Sequence, residues 1–372
     1  MDAPGSTPAR TGQYGAIPPD HYWRDDALAA EMAHVFRPSW LCVAFTDDLK
    51  THNDFVTTQI GPHSIVVQNF RGELKAFRNV CSHRFSRIQT EACGNRRLQC
   101  PYHNWLYDAQ GVPRGIPDNE TAFGLSEADK EKLALTAYRL ETCGRFVFVN
   151  MTGDAPPLRD FLGRVYDDLE HFSAACPERI RSNLFEWDVN WKVAFENAAE
   201  NYHTRMVHPD TLAPTLGDDL DTETFGDHTV LHRSLSDKTR AWWDRVAGLV
   251  KLEASQRYPL SVNYVVFPNI VIMATAGASF VFQTFEPLGP TRFRFRSTYF
   301  LADGKPGPAR DAVAASLADF SEQVMGEDHD ICMNVQNGLK EGLVRPPLLG
   351  RQEGRVRHFQ QAYARHIGIG HV

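Results

Sequence analysis

Two short clusters of cysteine and histidine are the residues best suited to hold a metal. Cys81 and His83 are separated by one residue, Cys100 and His103 by two, and sixteen residues lie between the clusters. Each cluster offers one thiolate and one imidazole, so four donors can converge from two loops on one metal centre. Two irons joined by sulfide, with both cysteines on one iron and both histidines on the other, would transfer single electrons.

The spacing and the flanking residues resemble the Rieske [2Fe-2S] domain. Arg84 follows the first histidine, and Tyr102 and Trp105 lie around the second. A structural zinc ion is the alternative, because two cysteines and two histidines also suit a closed tetrahedral site. A C-x-H first pair is unusual for a zinc finger. The resemblance therefore implies a [2Fe-2S] Rieske cluster with four ligands: Cys81, His83, Cys100 and His103.

A second candidate metal site is the pattern E-x2-H-x4-H formed by Glu200, His203 and His208. In a regular helix Glu200 and His203 share a face, whereas the two imidazoles point about 140° apart. Pro209 changes this geometry, since the residue before a proline leaves the α region and helices tend to end there. His208 can then turn toward His203. Two histidines and one carboxylate form a facial triad that leaves positions open on iron(II).

On its own, a histidine pair at this spacing would be interpreted as two surface or core histidines that bind no metal. Its position after a Rieske-like domain favours the metal interpretation, because a one-electron carrier needs an acceptor. The whole chain resembles the oxygenase (α) subunit of the Rieske non-heme iron ring-hydroxylating family from about Tyr22 to Tyr363. The matching pieces are the cluster motif, NWKVAFENAAENYHTRMVHP from 190 to 209 and EDHDICMNVQNGL from 327 to 339.

The resemblance also implies a third ligand for a mononuclear Fe(II). In this family it is an aspartate ahead of a Gln-x-Gly, and aligning Gln336 and Gly338 with that pattern places it at Asp328. Asp330 is the close alternative and Glu327 the next. The implied iron ligands are His203, His208 and Asp328.

Glu200 has a different role by resemblance. The family has a carboxylate there, commonly aspartate, that links a cluster histidine of one subunit to an iron histidine of the next. In this chain it would join His103 to His203. The resemblance therefore implies a cyclic homotrimer, because a head-to-tail contact must close to avoid a filament.

The activity implied is O2-dependent mono- or dioxygenation, or oxidative demethylation, of a small organic substrate, with an aromatic substrate favoured. Electrons from NAD(P)H would arrive through a flavin-dependent reductase, a ferredoxin or both, since the sequence lacks a G-x-G-x-x-G opening a helix after a strand. A Rieske electron carrier or redox sensor without oxygenase activity is the alternative. It would need no triad.

Bulk composition excludes other partners. The formal net charge is −7 with no long basic run, so the footprint of a nucleic-acid binder is missing. No stretch of about eighteen apolar residues indicates a membrane span, and Met1 to Gln13 lacks the regions of a signal peptide. Seven cysteines follow no disulfide rhythm. These features predict a soluble cytoplasmic protein.

The element pattern predicts an α+β fold in which a small antiparallel β Rieske domain precedes a larger catalytic domain with a curved antiparallel sheet covered by helices. We expect a helix over 25–36, strands near 41–45, 55–60, 64–68, 75–80 and 145–149, and loops and short helices over 211–258. Further strands follow between 261 and 300. The predicted divisions are 1–37 for an N-terminal arm and a helix packed with the catalytic domain, 38–155 for the Rieske domain and 156–372 for the catalytic domain.

Three further features are expected near these sites. Glu196 either forms a hydrogen bond near the iron or simply belongs to the helix. An arginine-rich patch would attract an acidic ferredoxin through Arg84, Arg87, Arg96 and Arg97. The candidate pocket residues flank the ligands or lie on the late strands: Phe195, Asn197, Ile270, Ile272, Met273, Phe280 and Phe282.

Overall fold

A computed structural model describes residues 12–342 and 344–369. The chain divides into two compact units. The cluster unit comprises residues 30–177 and 286–288, and the triad unit comprises the described residues up to 29, residues 178–285 and the described residues from 289 onward. The domain boundaries predicted from the sequence at 37 and 155 stay a prediction.

Strands and helices alternate in groups along the chain. The strands are β1 (Gln13–Tyr14), β2 (Leu41–Phe45), β3 (Asp54–Ile60), β4 (His63–Phe70), β5 (Glu73–Arg78), β6 (Cys93–Asn95), β7 (Leu106–Tyr107), β8 (Pro113–Gly115), β9 (Ala137–Cys143), β10 (Phe146–Asn150), β11 (Glu178–Trp187), β12 (Leu216–Phe225), β13 (His228–Leu235), β14 (Ser261–Val266), β15 (Ile270–Thr275), β16 (Ser279–Gly289), β17 (Arg292–Leu301) and β18 (Leu348–Leu349). The α-helices are α1 (Asp25–Glu31), α2 (Glu127–Lys132), α3 (Leu158–Leu162), α4 (Arg164–Ala175), α5 (Trp191–Ala199), α6 (Thr204–Val207), α7 (Asp237–Val250), α8 (Pro308–Leu339) and α9 (Gly354–Ile367).

The cluster unit is built on a seven-stranded antiparallel sheet in the order β2-β10-β9-β5-β4-β3-β6. Its strands are short and rich in β-branched and aromatic residues, as β-propensity favours. One core of this unit contains Phe55, Val66, Phe77 and Trp105 together with both motif cysteines. The two cluster loops are therefore fixed by the same apolar contacts that hold the sheet.

The triad unit contains a second seven-stranded antiparallel sheet, ordered β11-β17-β16-β15-β14-β13-β12. Strand β12 is an exposed edge with the acidic sequence LGDDLDTETF, and charge on an edge opposes pairing with other chains. Helix α8 contacts α5, α7 and β11. The predicted α+β class is confirmed.

Two local predictions differ from the structure. Residues 211–258 contain β12, β13 and the fourteen-residue helix α7, so the prediction of loops and short helices is wrong. The polar edge strand β12 lacks the alternation that identifies strands in a sequence, which explains why it was missed. Helix α1 is shorter than predicted and continues as a wider helical turn over Met32–Phe36.

The N-terminal arm was expected over residues 1–20, of which 1–11 lie outside the described residues. Gln13 and Tyr14 pair with Leu349 and Leu348 as a two-stranded ladder. The described part of the arm therefore lies on the triad unit of its own chain. Throughout the described chain, we find no helix whose length and apolar character would allow it to cross a lipid bilayer.

Candidate metal centres

The two cluster loops of the cluster unit repeat one backbone design. The Cys81 amide donates to the Ser86 carbonyl at 2.8 Å, and the Phe85 amide donates to the Cys81 carbonyl at 3.0 Å. In the second loop the Cys100 amide donates to the Trp105 carbonyl at 2.9 Å, and the Asn104 amide donates to the Cys100 carbonyl at 3.0 Å. The fourth residue after each cysteine has a positive φ, 61° and 58°. Each loop thus closes tightly around its cysteine.

The four predicted cluster ligands converge in the structure. Cys81 and Cys100 are both 1 % exposed and their thiols interact. The rings of His83 and His103 are 4.6 Å apart between centroids, and the His83 ring stacks on Trp105 at 4.8 Å. These contacts place two sulfur and two imidazole donors at one surface of the cluster unit.

Local chemistry fits a sulfide-bridged iron pair. His83 Nδ1 is buried with no hydrogen-bond partner in the described part of the chain, as expected of a nitrogen reserved for a metal. Burial lowers the pKa of His83, and His103 and Arg84 lower it further, which favours the neutral ligand form.

Tyr107 is a further residue at this centre, and no motif in the sequence indicates it. Its hydroxyl accepts from the Ser82 amide at 3.1 Å and lies 3.0 Å from Cys81 Sγ. Burial raises the pKa of the Cys81 thiol, and the contact with Tyr107 opposes that shift. Hydrogen bonds to ligand sulfur are one means by which proteins tune the potential of such clusters.

The predicted iron site lies where α5 breaks. Helix α5 begins at its N-cap Asn190 and ends at Ala199, and Glu200 follows in extended conformation. The chain resumes as the four-residue helix α6, with His203 as its N-cap and His208 as its C-cap. The break turns both imidazoles toward Asp328 of α8, and their ring centroids are 5.2 Å apart.

His203, His208 and Asp328 offer ligand atoms that all lie within 4.8 Å of one another. Asp328 Oδ1 is 3.5 Å from His203 Nε2 and 3.0 Å from His208 Nε2. His203 Nδ1 donates to Glu200 Oε1, and His208 Nδ1 donates to Glu327 Oε2 at 2.6 Å. Both Nε2 atoms therefore face the Asp328 carboxylate, an arrangement that a bound cation would stabilise.

Each ligand of this triad is held by a second polar group. Glu327 also accepts from Thr211 Oγ1 at 2.6 Å, and Asn197 Nδ2 donates to Asp328 Oδ1 at 2.7 Å. Burial lowers the pKa of His208, but Asp328 and Glu327 outweigh it and raise the pKa above its usual value. Carboxylates behind ligand histidines fix the tautomer and orientation of the ring.

The structure also separates the alternatives for the third ligand. Asp330 has an 86 % exposed side chain that faces His329 at 3.2 Å, away from the triad. Glu327 lies behind His208, a role that the sequence did not reveal. The adjacent acids at 327 and 328 were its only signal, because their partners are more than a hundred positions away in the chain.

A cavity of about 550 Å³ opens beside the triad within the triad unit, and His203, His208 and Asp328 line it. Its walls are largely aromatic and aliphatic, as in pockets for small molecules. The predicted lining residues Asn197, Met273 and Phe280 are among them. Further wall residues include Trp187, Trp242, Trp243, Phe285, Phe295, Tyr299 and Phe320.

Other pocket predictions are wrong. The cavity lining formed by the described residues does not include four of the predicted residues: Phe195, Ile270, Ile272 and Phe282. Ile270 and Ile272 alternate with Met273 along β15 and project to the opposite face of the sheet. Phe195 packs instead against Phe285 and Phe359.

Glu196 is likewise outside the cavity lining formed by the described chain. It accepts from the Tyr22 hydroxyl at 2.7 Å and from Gln360 Nε2 at 3.0 Å.

One of the four arginines in the predicted docking patch also has a structural contact. Arg96 donates to the Ile88 carbonyl and to Gln89 Oε1, so it stabilises the chain that follows the first cluster loop.

Comparison with protein families identifies the class of protein. The model of the ring hydroxylating alpha subunit (catalytic domain) matches residues 167–369, and that of the Rieske [2Fe-2S] domain matches residues 39–138. The chain belongs to the family of ring-hydroxylating oxygenase α subunits with a Rieske domain. This family has a Rieske [2Fe-2S] cluster and a mononuclear iron, and the residues described above fit both.

Individual relatives are oxygenase subunits. The chain is 32% identical over 235 residues to the glycine betaine monooxygenase oxygenase subunit of Chromohalobacter salexigens, covering 62% of this chain and 51% of the relative. It is 34% identical over 201 residues to the carnitine monooxygenase oxygenase subunit of Escherichia coli K12, covering 52% of each. In these alignments the chain spans about half the length of the curated relatives it matches.

Solved structures share the fold along nearly the whole chain. The quaternary ammonium Rieske monooxygenase CntA, in complex with an inhibitor, superposes with a TM-score of 0.80 at 20% identity and 95% coverage of both chains. A naphthalene 1,2-dioxygenase superposes with a TM-score of 0.77 at 19% identity, covering 97% of this chain and 93% of the other.

Proposed function

We propose that this chain is the oxygenase component of a Rieske oxygenase system that hydroxylates, dioxygenates or oxidatively demethylates a small organic substrate. The observation that carries the proposal is the triad of His203, His208 and Asp328 at the wall of a cavity, on a chain that also carries a Rieske site. An electron carrier without oxygenase activity would need neither the triad nor the cavity.

The residues prepare both sites for their metals. When bound, the [2Fe-2S] cluster would supply single electrons and the iron would supply dioxygen activation. Cys81, His83, Cys100 and His103 would hold the cluster, and His203, His208 and Asp328 would hold the iron. The protein orients these ligands before the metals bind and keeps bulk water from the substrate.

Glu200, Glu327 and Asn197 are positioning residues in this proposal. Glu200 accepts from the His203 ring and also from the Tyr202 and His203 amides. Its oxygens keep lone pairs for a further donor. We propose that this donor is His103 of a neighbouring copy in a homotrimer, which would give electrons a short hydrogen-bonded route between subunits.

Electrons would come from a flavin-dependent NAD(P)H reductase, alone or through a ferredoxin. The relatives' names support a small substrate, since they include glycine betaine, carnitine and toluate oxygenases, and the word subunit in these names supports a separate partner component. The seven cysteines are not joined in disulfides, which supports a reducing cytoplasmic location.

The test is oxygen and NADH consumption by the purified protein with a Rieske-system reductase, measured with product mass across aromatic and methylated amine substrates. We expect His203→Ala to abolish product while the visible spectrum of the cluster is unchanged. His34→Ala changes an exposed histidine and is the control. Product formation by His203→Ala at the wild-type rate, or no coupled oxygen consumption with any substrate, would refute the proposal.

A further inference from the structure

One wall of the cavity carries a polar row that crosses four strands at one register. Arg233 of β13 pairs with Ser261 of β14, Ser261 pairs with Thr275 of β15, and Thr275 pairs with Ser279 of β16. All four residues line the cavity. Because residues paired across a sheet project to the same face, their side chains form one polar strip in an otherwise largely apolar pocket.

Arg233 is the charged member of this row and is only 8 % exposed. Its Nε donates to the Gly217 carbonyl at 2.7 Å, whereas its two terminal nitrogens have no hydrogen bond or ion pair within the described chain. The nearby carboxylates have other partners, since Asp218 accepts from Arg205 and Asp219 accepts from Ser234. A buried guanidinium without a carboxylate is costly, so an anion is expected at its free edge.

The hydroxyls of the row are also available to a ligand. Ser261, Thr275 and Ser279 are partly exposed to the cavity, and their hydroxyls make no hydrogen bond to any residue that the structure describes. A guanidinium edge offers two parallel N–H donors that match the two oxygens of a carboxylate, and hydroxyl groups can donate to the same oxygens.

A second buried arginine adds to the positive potential of this wall. Arg355 of α9 is 4 % exposed and donates to Asn263 Oδ1 at 2.6 Å. Asn263 lies on β14 two residues after Ser261, on the same face of the sheet. This contact leaves the Asn263 amide nitrogen, on a residue that lines the cavity, as a further donor. Arg355 has no carboxylate partner among the described residues, so its charge is not cancelled locally.

We propose that the polar row is a subsite for the carboxylate of the substrate, with Arg233 as its anchor. The inference rests on the proposed function and narrows the substrate to a small monocarboxylic acid. The carboxylate would bind the free edge of Arg233 and the three hydroxyls, while the apolar remainder packs against the aromatic walls and extends toward the triad. Arg233 thereby determines specificity and takes no part in the oxidation.

Binding of matched acid and amide pairs to the holoenzyme tests this, without a reductase so that no turnover occurs. The probes are benzoate, phenylacetate, 3-phenylpropanoate and 4-(dimethylamino)butanoate, each compared by calorimetry with its primary amide. We expect at least one acid to bind, its amide to bind at least about tenfold more weakly, and Arg233→Gln to weaken the acid by a similar factor.

Three variants complete the experiment. Arg233→Lys keeps the positive charge but loses the two parallel N–H donors of the guanidinium, so we expect an affinity for the acid between those of wild type and Arg233→Gln. Arg240→Gln changes an exposed arginine outside the described cavity lining and is the matched control, with an expected change below about twofold. His203→Ala is expected to keep acid binding although it abolishes turnover. The cluster spectrum of each variant checks that it is folded.

The outcomes separate this inference from the proposed function. Acid binding that depends on Arg233 in a protein without oxygenase activity supports the subsite and refutes the proposed function. The subsite is refuted if amides bind as tightly as acids, if Arg233→Gln and Arg233→Lys both bind like wild type, or if no acid binds.

Discussion

Asp328 and Asp330 are two positions apart in α8, yet their surroundings differ. Asp328 faces both histidines and accepts from Asn197, whereas the Asp330 side chain is 86 % exposed. We expect Asp328→Asn to remove about one iron per chain and nearly all turnover, because the neutral amide is a much weaker ligand for iron(II).

Iron content and product formation measure this, and Asp330→Asn is the isosteric control with wild-type values expected. If Asp330→Asn lost the iron and Asp328→Asn retained it, the assignment would be reversed.

Glu196 makes the stability of the protein depend on pH. Burial raises its pKa to about 7 from an ordinary 4.5, so the folded state holds this proton more tightly than the unfolded chain. Its contribution to the free energy of unfolding is therefore full below pH 4.5 and is lost as the pH rises toward 7. We expect Glu196→Gln to stabilise the protein at pH 8 relative to pH 4.5 by on the order of 3 kcal/mol.

Denaturant unfolding at the two pH values measures the difference. Glu253→Gln, at an exposed glutamate of the same unit, serves as the control. An equal effect of Glu196→Gln at both pH values would contradict the prediction.

Among individual site residues, the sequence predicted those whose partners are near in the chain. The cysteine and histidine spacing was sufficient to bring together four side chains, and Pro209 indicated that His208 leaves the helix. It could not show that Asn197 donates to Asp328 or that Glu327 supports His208, because those contacts depend on how α5 and α8 pack. Arg233 was missed for the same reason, since its row exists only through strand register.

One buried side chain of α8, Gln336, connects this helix to the start of α5. Gln336, 1 % exposed, accepts from the Asn190 amide at 2.7 Å and donates to the Tyr22 carbonyl at 3.2 Å. We expect Gln336→Leu to lower the free energy of unfolding by about 1–3 kcal/mol, since two buried backbone groups lose their partner. Iron affinity is expected to fall too, because Asp328 lies on the same helix.

Unfolding curves and iron titration measure these effects, with Gln323→Leu as the control at an exposed position of α8. If the two variants behaved alike, the Gln336 contacts would not stabilise this helix.

The elements themselves were predicted unevenly. Strands with alternating or continuous apolar runs, such as β4 and β10, were expected from the sequence. The polar edge strand β12 was not, because its assignment depends on pairing with β13 and not on its own composition.

For the whole molecule, the proposed homotrimer predicts complementation between inactive variants. Cys100→Ser would lack the cluster and His203→Ala would lack the iron. If electrons cross between neighbouring copies, each working site needs a cluster from one copy and an iron from the next. In trimers reassembled from equal amounts each condition is met about half the time, so we expect about a quarter of the wild-type activity.

Activity of mixtures, with sedimentation to confirm the assembly, measures this. Mixing each variant with itself is the control. Inactive mixed trimers would indicate that each chain uses its own cluster or that the assembly does not exchange electrons.

Helix α6 has only four residues, too few to persist without contacts beyond its own backbone. His203 and His208 cap its two ends, so an ion held by both histidines would also stabilise that turn. Loss of such an ion would then be accompanied by fraying of α6. Amide hydrogen exchange at residues 204–207 would accordingly rise on chelation and report metal occupancy even when no substrate is known.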